Sequence, residues 1–140
     1  MTEHQFDSAD FIEIRSADEI YNRTAYLADI DPATSEPKKI IASYQFPEPI
    51  PCGLKNCHQP HKQGYLVLTA SGSETNMGWV CGVNYFGINF RIMRKRFDRA
   101  VSAHRYKLRL QEILQHADDI LNRWPPCADY AALYIRPRMR

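Results

Sequence analysis

From Ile88 to about Asn122 the chain contains neither glycine nor proline, and no other stretch restricts its fold as strongly. On a wheel of 100° per residue, Phe90, Met93, Phe97, Ala100, Val101, His104 and Leu108 fall on one face. Arg91, Arg94, Lys95, Arg99, Arg105 and Arg109 fall on another, within an arc of about 140°. Beyond 109 the apolar face moves nearly to the opposite side, through Leu110, Ile113, Leu114, Ala117, Ile120, Leu121 and Trp124. Either the helix breaks near 109, or one rod meets different neighbours at its two ends. An unbroken helix of this length measures roughly 50 Å, against roughly 37 Å for the breadth of a compact domain of this size. With no breaker residue present, a continuous helix over 88–123 is expected, its far half meeting another surface, with a second subunit as one candidate.

All six glycines lie between 53 and 87, together with three of the four cysteines. Glycine at that density predicts tight turns around a small core. "GYLVLTA" (64–70) reads as a strand, "SGSETN" as a hairpin loop and "MGWVCG" (77–82) as the returning strand. Upstream, "FIEIR" is a possible short strand, and "SADE" (16–19) forms a capping box that opens a helix over 17–30. Ile20, Ala25, Leu27 and Ile30 are its candidate buried positions, and Pro32 ends it. "KKIIASYQF" (38–46) reads as a strand, "PEPIP" (47–51) as a stiff extended linker, and "DYAALYI" in the tail as a short helix or strand.

The segment "CGLKNCHQPH" concentrates metal-ligand chemistry. Cys52, Cys57, His61 and Cys81 give C-x4-C-x3-H-x19-C, and structural zinc takes four such donors tetrahedrally. His58, beside Cys57, is the alternative to His61. Residues 47–64 contain little to bury, and a bound ion would supply the missing anchor. The competing interpretation is a set of buried thiols with surface histidines; Cys127, alone in the tail, reads that way. A redox disulfide is disfavoured, since no CxxC is present. Over residues 52–97 the chain resembles zinc-ribbon and treble-clef modules, in which a knuckle and a hairpin share one ion. It departs from them in its four-residue first spacing and in having a lone Cys81 where a second pair is usual.

Charge is unevenly spread. Residues 1–50 carry ten acidic and four basic side chains, and residues 51–140 fourteen basic and six acidic. Between Ile88 and Arg109 there are eight basic residues and one acid, Asp98. Arginine forks at that density suit phosphate and guanine, so DNA or RNA is the expected partner of Arg91, Arg94, Lys95, Arg99, Arg105 and Arg109. Trp79, Tyr85 and Phe86 are placed to stack on bases, though core packing is the commoner use. Two other uses fit the same residues: pairing of the basic face with the acidic amino-terminal half, or a protein-interaction or scaffold role, dimeric through 110–124.

The hydrophobic fraction of 44% and charged fraction of 24% are those of an ordinary globular protein. No apolar run approaches a membrane span, and "MTEHQFDSADF" lacks the features of a secretory signal. A cytoplasmic setting, where thiols stay reduced, is expected. Neither H-x-E with P-C-x-x-C, nor H-E-x-x-H, nor a P-loop occurs, so no enzyme is expected. The expectation is one α+β domain: an acidic helix and strand (1–50), a zinc-bound hairpin module (51–87), a long helix (88–123) and a tail (124–140).

Overall fold

A computed structural model describes residues 12–123; the expected tail, with Trp124, Cys127 and "DYAALYI", lies outside the described residues. The elements in order are α1 (Ala17–Tyr21), β1 (Pro37–Pro51), β2 (Pro60–Thr69), β3 (Glu74–Met77) and α2 (Trp79–Arg123). The protein is thus α+β, with an antiparallel sheet of order β1-β2-β3 followed by a long helix.

The helix expected over 17–30 stops at Tyr21. The expected capping box does not form: the Ser16 hydroxyl does not cap, and Glu19 accepts from the N–H of Arg15, one residue before the cap, at 3.1 Å. Tertiary hydrogen bonds then replace helical ones. Leu27 N–H donates to the Glu74 carbonyl and Glu74 N–H to the Ala25 carbonyl, both at 2.8 Å. Ile30 exchanges bonds with Gly53 and Lys55. Residues 12–15 form no strand, although Ile14 is buried.

β1 runs five residues past Phe46, through Pro47, Pro49 and Pro51, taking in the segment expected as a linker. Its pairing with β2 slips between Gln45 and Ile50, across Pro47 and Pro49. An edge strand tolerates this, because a residue without an N–H leaves no inner ladder bond unmade when it faces outward. The β2–β3 connection is shorter than expected. Thr69 N–H bonds the Ser73 carbonyl at 2.8 Å and Gly72 turns with φ +88°, so Glu74, Thr75 and Asn76 are strand residues rather than loop. All four residues of β3 are buried. The returning strand also ends earlier: Gly78 accepts from the Gly82 N–H at 2.9 Å, and Trp79–Gly82 form the first turn of α2 instead of strand.

The sheet separates two apolar clusters. Ile14, Ile20, Ile41, Ala42, Tyr44, Phe46, Ile50 and Leu66 form one. The other joins Ile40, Val67 and Met77 of the sheet to Cys52 and Leu54 of the β1–β2 loop and to Cys81, Phe90 and Phe97 of α2. α2 is interrupted at Gly87, whose φ of 58° and ψ of −130° suit only glycine among common residues. The chain divides into two units, the first ending at Ser102 and the second beginning at Ala103. In the second, the described residues are the helical turns to Arg123. No described helix is long and apolar enough to cross a membrane.

Candidate metal centre and basic helix

The β1–β2 loop and the first turn of α2 bring Cys52, Cys57 and Cys81 together, with their sulfurs all within 4.8 Å of one another. Cys57 Sγ and Cys81 Sγ are 3.3 Å apart, and none of the three is in a disulfide. The loop is built for this. Cys52 N–H bonds the Gln59 carbonyl at 3.1 Å and Cys57 N–H the Leu54 carbonyl at 3.2 Å. Asn56 and His58, on either side of Cys57, adopt left-handed φ values of 63° and 49°. That doubled turn aims the Cys57 sulfur inward. Gly53 is required for a different reason: a Cβ there would stand 2.2 Å from the Thr75 hydroxyl.

Backbone dipoles point at the sulfurs. Cys52 Sγ accepts from the Leu54 N–H, and Cys57 Sγ from the Gln59 N–H. Burial nonetheless pushes the Cys52 thiol up to about 12, and burial with the neighbouring Cys57 raises Cys81. For Cys57, burial is outweighed by hydrogen bonds from Gln59 and from the Cys81, Cys52 and Tyr85 side chains, so its thiol falls below the ordinary value. Three sulfurs this close cannot all ionise without a neighbouring cation, and a bound divalent ion would reverse that penalty. The donor set fits one. Tetrahedral zinc with Zn–S of about 2.3 Å holds its sulfurs about 3.8 Å apart, inside the range seen here. The three cysteines could therefore hold a metal ion.

The histidines proposed for the fourth place stand outside this group. His61 Nε2 accepts from the Tyr44 hydroxyl at 2.5 Å, and Nδ1 faces the Gln59 carbonyl at 3.2 Å. Burial lowers its pKa. The ring lies against Gly78 and lines, with Trp79 and Cys81, a cavity of about 560 Å³. Behind it runs a polar chain: Tyr26 O–H donates to Asn76 Oδ1 at 2.7 Å, and Asn76 Nδ2 donates to the Tyr44 oxygen at 3.3 Å and the Pro51 carbonyl at 2.9 Å. Burial pushes the Tyr26 phenol up to about 12 and raises Tyr44 further. His58 bonds the Cys52 carbonyl at 3.2 Å and Asp29 at 2.9 Å. Tyr85, expected to pack in the core or stack on bases, has a different neighbour. Here it hydrogen-bonds Cys57 one helical turn beyond Cys81, and partial desolvation with the Cys57 sulfur raises its phenol.

Of the basic residues expected to meet phosphate, Arg91, Lys95 and Arg99 are exposed on the first unit's part of α2, joined by Arg96. Arg105 and Arg109 are exposed on the second unit's part. Arg94 is used internally. Its Nε donates to the Tyr65 hydroxyl at 2.8 Å, its guanidinium lies 4.2 Å from the Trp79 ring centroid, and Asp98 stands at 3.4 Å. Trp79 is committed likewise, tilted against Phe90 at 5.8 Å. Among the described residues, no ion pair joins the acidic side chains of 12–50 to Arg91, Lys95, Arg96 or Arg99. The acidic stretch pairs elsewhere, as Asp29 does with His58.

No protein-family model matches the chain, and no curated protein or solved structure matches it significantly.

Proposed function

We propose that the protein is a non-catalytic nucleic-acid-binding module of a reducing, cytoplasmic setting. In it, zinc held by Cys52, Cys57 and Cys81 ties the β1–β2 loop to the start of a cationic helix. The observation that carries this reading is the run of exposed cations Arg91, Lys95, Arg96 and Arg99, free of acidic partners among the described residues. Arg91, Lys95 and Arg99 stand on successive turns with Arg96 beside Lys95, a cationic density suited to phosphate, and each phosphate neutralised releases counterions. Arg94 serves the module differently, by clamping α2 to Tyr65 and Trp79. Zinc supplies a fixed charge that lets three thiolates coexist, and it fastens the Cys57 end of a loop whose other anchor is the buried Leu54. The fourth donor in this reading is His61, by its spacing, with its ring turned from the Tyr44 hydroxyl toward the three sulfurs when the ion is bound.

Labelled single- and double-stranded oligonucleotides titrated at two salt concentrations test the helix. Arg91→Ala, Lys95→Ala and Arg99→Ala combined should lower the slope of log affinity against log salt by about 2–3. Unchanged affinity and slope, or no binding by the wild type, removes the reading. Cobalt substitution tests the fourth donor, since His61→Ala alters the visible d–d bands only if the imidazole is bound.

A second reading, a protein-interaction adaptor, draws on the exposed side chains Leu110, Ile113, Leu114, Ile120 and Leu121. It predicts self-association and no salt-dependent oligonucleotide binding.

A further inference from the structure

In the second unit the described chain is a helix whose apolar residues repeat at alternating steps of three and four: Ala103, Tyr106, Leu110, Ile113, Ala117 and Ile120. Alternation of that kind places them along one seam, the a and d positions of three heptads. Tyr106, Leu110, Ile113 and Ile120 are each more than half exposed, and Leu114 and Leu121 flank them. We propose that this seam pairs with the same seam of a second copy of the chain, and that the two helices run antiparallel.

Two independent features choose the occupant and its direction. The first is size. When two identical helices are parallel, each a or d residue meets itself, so Tyr106 would face Tyr106 and Ala103 would face Ala103, crowding one layer and hollowing another. Antiparallel alignment about the Leu110–Ile113 step sets Tyr106 against Ala117 and Ala103 against Ile120. Every layer then holds one larger and one smaller side chain or a Leu–Ile pair, which is how facing positions fill space without voids.

The second feature is charge. Residues 103–110 carry Arg105, Lys107 and Arg109 and no acid; residues 111–120 carry Glu112, Asp118 and Asp119 and no lysine or arginine. Parallel copies would set three cations beside three cations. In the antiparallel register, Lys107 and Arg109 come level with His116 and Leu114 of the second copy, about 3 Å along the axis from Asp118 and Glu112 on the same flank. The same sequence that repels itself in one direction attracts itself in the other.

Sedimentation equilibrium of the full 140-residue chain at about 100 µM should give twice the chain mass of 16.3 kDa. Ile113→Asp should weaken association about 100-fold, as the centre of the seam enters twice. Direction is read in two ways. A benzoylphenylalanine photo-cross-linker in place of Tyr106 should join two chains and attach near Ala117. Lys107→Glu with Arg109→Glu should weaken the dimer, and adding Glu112→Lys and Asp118→Lys to the same chain should restore it. Attachment of one Tyr106 site to the other, loss of association that the second pair does not restore, a cross-link confined within one chain, or a strict monomer would each overturn the proposal. Because Ile113→Asp leaves every basic side chain in place, oligonucleotide binding by that variant can fail or survive independently of the outcome.

Discussion

Replacing Gly82 with alanine sets helix propensity directly against packing. In an exposed helix the exchange stabilises by about 1 kcal/mol. Gly82 is buried in the first turn of α2, and a methyl group there would stand 2.3–2.6 Å from three ring carbons of Phe90. Carbon contacts settle near 3.5–4.0 Å, so roughly 1 Å of relief is needed. Phe90 cannot supply it cheaply: it is fully buried, with the Tyr65 ring at 6.0 Å and the Trp79 ring at 5.8 Å. Overpacking of this kind loses typically about 1–3 kcal/mol, and the severity of the contact argues for the upper part of that range. Set against the propensity gain, the net loss is about 1–2 kcal/mol. Urea denaturation should show a midpoint lowered by roughly 0.5–1 M for an m-value near 2 kcal/mol/M. In a Phe90→Leu background, where the ring is gone, the same exchange should be close to neutral, giving a coupling of about 1 kcal/mol or more. A Gly82→Ala protein as stable as the wild type would refute the packing of the first turn of α2 against Phe90, beyond the Gly87 break. Cys81 is the adjacent residue, so metal affinity should fall together with stability.

Elemental analysis of the purified protein should find about one zinc per chain, with Cys52→Ser, Cys57→Ser or Cys81→Ser each removing most of it; chelation of the wild type should lower its melting temperature. Arg23 meets Glu74 through both Nε and Nη2, at 2.5 and 3.0 Å, with the Glu74 side chain only 10% exposed. Arg23→Met should therefore cost about 2–4 kcal/mol in chemical denaturation by leaving that charge unpaired, and Arg23→Met with Glu74→Leu should recover much of it. Burial depresses the His61 pKa in the folded state. The unfolded chain then takes up a proton first as pH falls, so stability contributed above about 6.5 is lost progressively below it. His61→Gln should flatten that part of the metal-free protein's stability profile measured by thermal melting.

What the sequence settles by itself is local. Sulfur donors at 52, 57 and 81 are ligand chemistry wherever they lie, and the breaker-free run after Gly87 had to be helical because nothing in it interrupts the i to i−4 ladder. Apolar and β-branched residues made the cores of β1 and β2 readable for the same reason. Tertiary structure decided wherever a residue's partner is distant in the chain. "ETN" reads as a polar loop, yet Glu74 is buried on Arg23 and Asn76 on Tyr26, Tyr44 and Pro51. Prolines that suggest a linker extend β1 because β1 is an edge. A helix opened by a capping-box sequence stops after five residues because Glu74 takes over the bonds of the next segment. Arg94 sits on the cationic arc of the wheel but turns to Tyr65 and Trp79, while His61, at ligand spacing, is held by Tyr44. Donor type and periodicity are properties of one stretch of chain; desolvation and hydrogen-bond competition depend on what the fold brings alongside it.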